Sequence, residues 1–568
     1  MRLFLNKIIF ALLFTTIYFG AFSQTTFNET TKIALLCKFW GFLKYYHPNV
    51  ATGKYDWDKE LITKIPQIKA SNTKEDINKV YIDWLTSLGQ VKKRKNCNNN
   101  IPDSLKKNLD LNWLTDTTIF NKELISKLNF IKENRSKHQY YIKTGMLGAP
   151  LNFKKEKIYK DSIFPSEGYR LLGLFRYWNI INYFYPYKYL TDEKWDNVLI
   201  EMTPKFQNAQ NPSNYHLAML ELTTKINDSH AYFSSDFTWK YIGVRTVPFK
   251  IKIIENKAII IGFYNDSLSQ VDDLQYGDVI LKINNKNISE IIAEKLKYIS
   301  ASNEPTKLRN LAYTLFNDSI DTLNITYERH NEIKTKTIKR YYYSALHYNW
   351  TTENGAICKE LNDNIGYVNM GNIKMRQVAK VMNTMMTKKG IIFDIRNYPN
   401  ATALVISQYL NKDILPFVQF LSQDLTYPGV YKWSQLYYAG KKRVLNKWFA
   451  FNNRGKPNKN YYKGKVVLLI NEDTQSQAEF TCMAIQTAPD VKCIGSQTAG
   501  ADGNVSTIIF PGGYRTQITG LGVYYPNGKE TQRIGIEPDI EVKPTIDGLK
   551  NKKDEVLERA IEYINTGK

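Results

Sequence analysis

The feature that most restricts this chain is a gapless internal repeat: residues 31–92 and 169–230 align at an offset of 138. In that register Trp40 meets Trp178, Tyr45 meets Tyr183 and Pro48 meets Pro186. Trp57-Asp58 meets Trp195-Asp196, Leu61 meets Leu199 and Pro66 meets Pro204. Each copy reads as an aromatic-rich helix stopped at a proline, a tryptophan-led second helix and a third apolar helix. The copies differ at their ends, where Asn227-Asp228-Ser229-His230 stands opposite Gly89-Gln90-Val91-Lys92. A hydroxyl and an imidazole kept in one copy only point to a site in the second half. The plain alternative is an ordinary loop histidine.

A second stretch, Val466–Gln486, changes period part-way. Val466–Ile470 is an apolar run suited to a strand buried on both faces. Beyond Ser476, Ala478, Cys482 and Ile485 fall at helical spacing. Ser476 therefore stands where a strand becomes a helix, beside N–H groups able to stabilise an anion. A hydroxyl there can attack a carbonyl, and the next N–H can hold the oxyanion. As a helix N-cap it would need no partner; as a nucleophile it needs a base, which His230 offers.

At 568 residues the chain exceeds one core, and 43% hydrophobic content excludes disorder. Arg2 and Lys7, the apolar run Ile8–Phe19 and Ala21-Phe22-Ser23 read as an export signal over residues 1–23. This predicts an exported protein, periplasmic or extracellular, with no integral membrane segment after signal removal. The formal charge of +23 falls to +21 without Arg2 and Lys7. Its lysines are scattered and no recognition module accompanies them, so no nucleic-acid partner is expected. Five cysteines form no CxxC and leave at least one unpaired, which excludes a disulfide scaffold. No HExxH, phosphate loop or dinucleotide fingerprint occurs, so neither a metal nor another cofactor is expected.

Between 240 and 340 the pattern turns to strands. Leu274-Gln275-Tyr276-Gly277-Asp278-Val279-Ile280, followed by a strand and an Asn-Asn turn, resembles a PDZ domain over roughly Arg245–Arg340. From Asn364 strands and helices alternate, as in a largely parallel α/β sheet whose sites lie at strand C-terminal ends. Gln408–Tyr462 is aromatic and reads as a hairpin or a flap over the site.

Taken together, these motifs resemble the tail-specific (carboxyl-terminal-processing) serine peptidases, most closely the branch containing the tricorn core. The resemblance rests on DSH at 228–230, the PDZ-like segment, FDIRNYPN at 393–400, SQAEF at 476–480, GSQTAGADG at 495–503 and GIEPDI at 535–540. It implies a multidomain α+β fold: duplicated N-terminal helical units, a PDZ-like β-rich domain and an α/β (ClpP/crotonase-like) peptidase core. The boundaries that follow are a signal peptide at 1–23, helical units at 24–140 and 141–238, the PDZ-like part at 239–342 and the core at 343–568. The resemblance implies Ser476 as nucleophile, His230 as base and Ser229 in the same relay. It places the oxyanion donors at Gln477 and in the Pro399-Asn400 turn, taken as Asn400.

Three departures accompany it. Ala501 or Asp502 stands where the tail-specific branch has its base lysine. Asn400-Ala401 replaces a glycine pair. The carboxylate position aligns with the amide Gln532, which is expected nearest Ser229, while Glu530 lies two residues off. The implied function is an exported serine endopeptidase acting on peptides or unfolded protein tails, with homo-oligomerisation left open. The other reading is a catalytically weak or inactive protein that binds a peptide or hydrophobic ligand on the same scaffold.

Overall fold

The computed structural model describes residues 28–95, 100–144, 149–160, 162–346, 355–440 and 457–568. The export signal, Cys97 and the part of the aromatic stretch at 441–456 lie outside the described residues.

The repeat is visible as two sets of three helices. Glu29–Tyr46, Trp57–Ala70 and Lys74–Ser87 begin 138 residues before Glu167–Phe184, Trp195–Gln207 and Pro212–Thr224 respectively. Each leading helix is buried nearly all round, which its continuous aromatic and aliphatic run predicts. The first ends at His47, ahead of Pro48, because a residue before proline is pushed out of the helical region. The tryptophans explain the register. Trp40 Nε1 donates to the Trp57 carbonyl at 3.0 Å and Trp57 Nε1 returns a bond to Trp40 at 3.2 Å. Trp178 and Trp195 repeat this exchange at 2.9 and 3.0 Å.

The two copies also face each other with approximate twofold symmetry. Lys38 pairs with Asp196 at 2.6 Å, and its counterpart Arg176 pairs with Asp58, the counterpart of Asp196. At the centre, Gly41 lies so close to its own counterpart Asn179 that a Cβ would overlap that side chain.

The PDZ-like part is a six-strand antiparallel sheet, in which Phe249–Ile254, Lys257–Phe263, Val279–Ile283, Thr322–Arg329 and Glu332–Lys339 lie in order and short Lys286-Asn287 pairs with Val279–Ile283. Arg245-Thr246 and Tyr341-Tyr342 pair and close its ends. The Gly-Asp turn has a structural cause: Asp278 takes both arms of Arg329 at 2.7 Å, while Gly277 adopts a φ of +91°.

The core sheet runs in the order Ile540-Glu541, Val491–Gly495, Lys465–Ile470, Gly390–Asp394, Ile365–Asn369 and Cys358–Asn362. All neighbours are parallel except the last pair. Val466, Leu468 and Ile470 pack under helices Val378–Met385, Ala403–Leu410 and Gln477–Ile485, whereas Val467 and Leu469 face Glu555–Thr566. The strand is thus buried on both faces. Within the aromatic stretch, Leu415–Gln423 pairs with Tyr431–Trp433, Tyr437–Ala439 and Gly522–Tyr524.

The second helical unit and the core are not separate bodies. The hairpin Val505–Ile509/Arg515–Thr519 enters the helical core, where Phe510 stacks on Tyr177 at 5.6 Å and meets Phe233 edge-on. Gln423 Nε2 ties the strand beneath it to the Phe184 carbonyl at 2.6 Å. This docking carries the end of the second repeat to the core sheet.

Candidate active site

Ser476 occupies the turn between Lys465–Ile470 and Gln477–Ile485. Its φ of +57° and ψ of −116° are not those of an ordinary N-cap. A non-glycine residue in that region is strained and must be held there by its surroundings. Glu479 supplies much of the hold. Its fully buried carboxylate accepts the Ser476 N–H at 3.1 Å, Thr498 Oγ1 at 2.5 Å, Gly500 N–H at 2.8 Å and Ala501 N–H at 3.0 Å. Burial pushes this carboxyl above the usual carboxylate range, against the pull of those four donors. The nucleophile turn and the 498–501 loop are thereby fixed to one side chain. Thr474 Oγ1 adds a bond to the Ile395 carbonyl at 2.8 Å, joining the two central strand ends.

The segment bearing His230 is fastened to the same loops. Gln475 Nε2 donates to the Ser229 carbonyl at 3.3 Å, and Ser229 Oγ donates to the Ala499 carbonyl at 3.1 Å. The residue before His230 is therefore bonded to the residue before Ser476, although the sequence separates them by more than two hundred positions. No hydrogen bond joins Ser476 Oγ to His230 among the described residues. His230 Nδ1 lies 2.9 Å from Thr519 Oγ1 and 3.7 Å from Asp228 Oδ1. Burial lowers the imidazole below its ordinary pKa, with Asp228 pulling the other way.

Two expectations need correction, those for Gln532 and Asn400. Gln532 is fully buried but donates to Tyr185 OH at 3.4 Å rather than to Ser229. The Ser229 hydroxyl instead joins the Ala499 carbonyl and accepts the Ser302 N–H at 2.8 Å. Glu530 is no substitute: it pairs with Tyr189 and with Lys107 at 3.5 Å. Asn400 spends its N–H on the Met370 carbonyl at 3.3 Å, and its side chain staples Gly371 and Ile373 at 3.1 and 3.0 Å. Ala401, next along, has no N–H partner among the described residues. Nothing among the described residues accepts the N–H of Gln477, the first helical residue. Asp502 is buried, and burial and Glu479 hold its carboxyl well above the usual carboxylate range.

Residues 364–542 match the model of peptidase family S41, and residues 244–353 match that of a PDZ domain. The core is a family S41 peptidase domain. No curated protein matches the chain. Among solved structures, mature CPAF in complex with lactacystin is 13% identical, with a TM-score of 0.53 over 70% of this chain and 99% of that one. A serine-to-alanine mutant of CPAF gives 13% identity and a TM-score of 0.54 over 70% and 98%. The photosystem II D1 C-terminal processing protease gives 15%, 0.38, 69% and 98%. The likeness to CPAF extends well beyond the S41 domain and shows a shared fold.

Two residues not expected from the sequence, Asp228 and Thr519, contact His230 here. Asp228 carried a signal, an acid two positions before the histidine. Thr519 carried none.

Proposed function

We propose that this chain is an exported serine endopeptidase that cleaves peptides or unfolded protein segments through an acyl-enzyme on Ser476. The observation that carries the reading is the strained Ser476 at a strand-to-helix turn of an S41 domain, with the His230 segment bonded to its flanking loops. His230 takes the Ser476 proton, the alkoxide attacks the carbonyl, and the N–H groups of Gln477 and Ala401 receive the oxyanion. The leaving amine takes the proton from His230, and water then releases the acyl group by the same base. Export rests on residues 1–23; no helix among the described residues is long and apolar enough to cross a membrane.

One observation favours the second reading, binding without turnover: the Asn400 N–H is committed to Met370. Both readings are separated by incubating the mature chain with a disordered fluorogenic substrate, with and without Ser476→Ala. Turnover that disappears in the variant supports the peptidase. Equal retention of substrate by both proteins, with no cleavage, supports the binding protein.

A further inference from the structure

His230 needs a group on its second ring nitrogen to select its tautomer, and none of the expected residues serves. Ser229 is engaged with Ser302 and Ala499, and Gln532 is turned to Tyr185. The ring nitrogen that does have a neighbour, Nδ1, has a hydroxyl: Thr519 Oγ1 at 2.9 Å. Behind that hydroxyl lies Asp228, with no exposed surface. Asp228 receives the Thr519 N–H at 2.6 Å, the Thr519 O–H at 2.9 Å and the His230 N–H at 3.0 Å.

The hydrogen count then decides direction. A carboxylate can only accept, and a hydroxyl has one hydrogen. Thr519 gives its hydrogen to Asp228, so its oxygen is left to accept, and the hydrogen between it and the imidazole is the one on Nδ1. The ring therefore carries Nδ1–H and leaves a lone pair on Nε2. That is the tautomer a base facing Ser476 requires.

We propose that Thr519, held by Asp228, is the positioning residue of His230, with a hydroxyl set between imidazole and carboxylate. This rests on the reading of His230 as the base. When Ser476 passes its proton to Nε2, the ring becomes a cation that keeps Nδ1–H on Thr519. The Thr519 hydrogen stays on its own oxygen, directed at Asp228, throughout, so the pair orients and balances charge without moving a proton. Thr519 is fully buried at the end of the hairpin strand Arg515–Thr519, whose partner strand leads into Phe510 in the helical core. The hairpin's insertion is what sets the hydroxyl against the second repeat.

The test uses the full mature chain with ¹⁵N-histidine. The ring couplings of His230, assigned by their loss in His230→Gln, report which nitrogen carries hydrogen. The expected result is Nδ1–H in the wild type. In parallel, the rate of fluorophosphonate labelling is measured for Thr519→Val and Thr519→Ser. Thr519→Val keeps the shape and loses the hydroxyl, and should slow labelling by about 10²–10⁴-fold, as loss of the tautomer-setting group does elsewhere. Thr519→Ser should stay within about threefold of wild type. A hydrogen on Nε2 in the wild type, or a Thr519→Val rate equal to wild type, overturns the proposal. If Thr519→Val fails to fold, the wild-type tautomer and the Thr519→Ser rate still decide. If the wild type takes no label, the peptidase reading fails, while the tautomer independently tests the role of Thr519.

Discussion

Ser476 and His230 are shaped by burial and hydrogen bonding rather than by formal charge. The imidazole lies in a dry site with its pKa lowered, chiefly by desolvation. A lowered histidine pKa keeps the ring neutral, and so basic, to more acidic pH than a free side chain. The labelling rate of Ser476 should therefore hold through pH 7 and fall only below about 6.5, the ordinary histidine value. A pH profile of single-turnover labelling gives this midpoint directly, and a midpoint above the ordinary value would contradict the site's desolvation. Glu479 is the second residue to test. Removing it leaves four donors without their acceptor in the interior, each costing about 1–3 kcal/mol. Glu479→Ala should lower the thermal midpoint by several degrees and abolish labelling, whereas Ser476→Ala should leave the midpoint within about a degree or two. Equal midpoints for the two variants would show that Glu479 does not hold the turn.

Elements were legible where a local pattern had a local cause. The helices of the repeat followed from tryptophan and proline positions, because the Trp–Trp exchange and the helix stops act within one copy. Val466–Ile470 was legible because a strand buried on both faces has to be apolar throughout. The meeting of the Ser476 and His230 loops was legible, because both loops carry family motifs. The site's hydrogen-bond partners were not: the Asn400 N–H and the Gln532 amide were claimed by Met370 and Tyr185, contacts with no sequence spacing. Thr519 was invisible for the same reason, since only the docking of the hairpin brings it to Asp228. A test at this scale lies in the pseudo-symmetric helix pair. Gly41→Leu forces a side chain into the space of Asn179 and should destabilise the chain by about 1–3 kcal/mol or more. Thermal unfolding of the variant checks this, and an unchanged midpoint would mean that the two leading helices do not cross so closely.

At the scale of the whole molecule, the second helical copy brings Asp228 and His230 against Thr519 of the peptidase core. The first copy contributes no site residue; its end, Val91-Lys92, has neither hydroxyl nor imidazole. The first copy supports the second through the paired ion contacts and the shared core, and the second is joined to the peptidase sheet by the 505–519 hairpin. Phe510→Ala, which removes the ring stacked on Tyr177, should cost about 3–5 kcal/mol and slow labelling more than stability alone explains, because it loosens Thr519. All of this presumes that Ser476 is a nucleophile activated by His230. The most direct measurement is mass spectrometry of the mature chain after reaction with a fluorophosphonate, beside Ser476→Ala and His230→Ala. One adduct on the peptide containing Ser476, absent from the first variant and slowed at least about a thousandfold in the second, is the predicted result. An adduct on another residue, or labelling of Ser476 that is indifferent to His230, would contradict it.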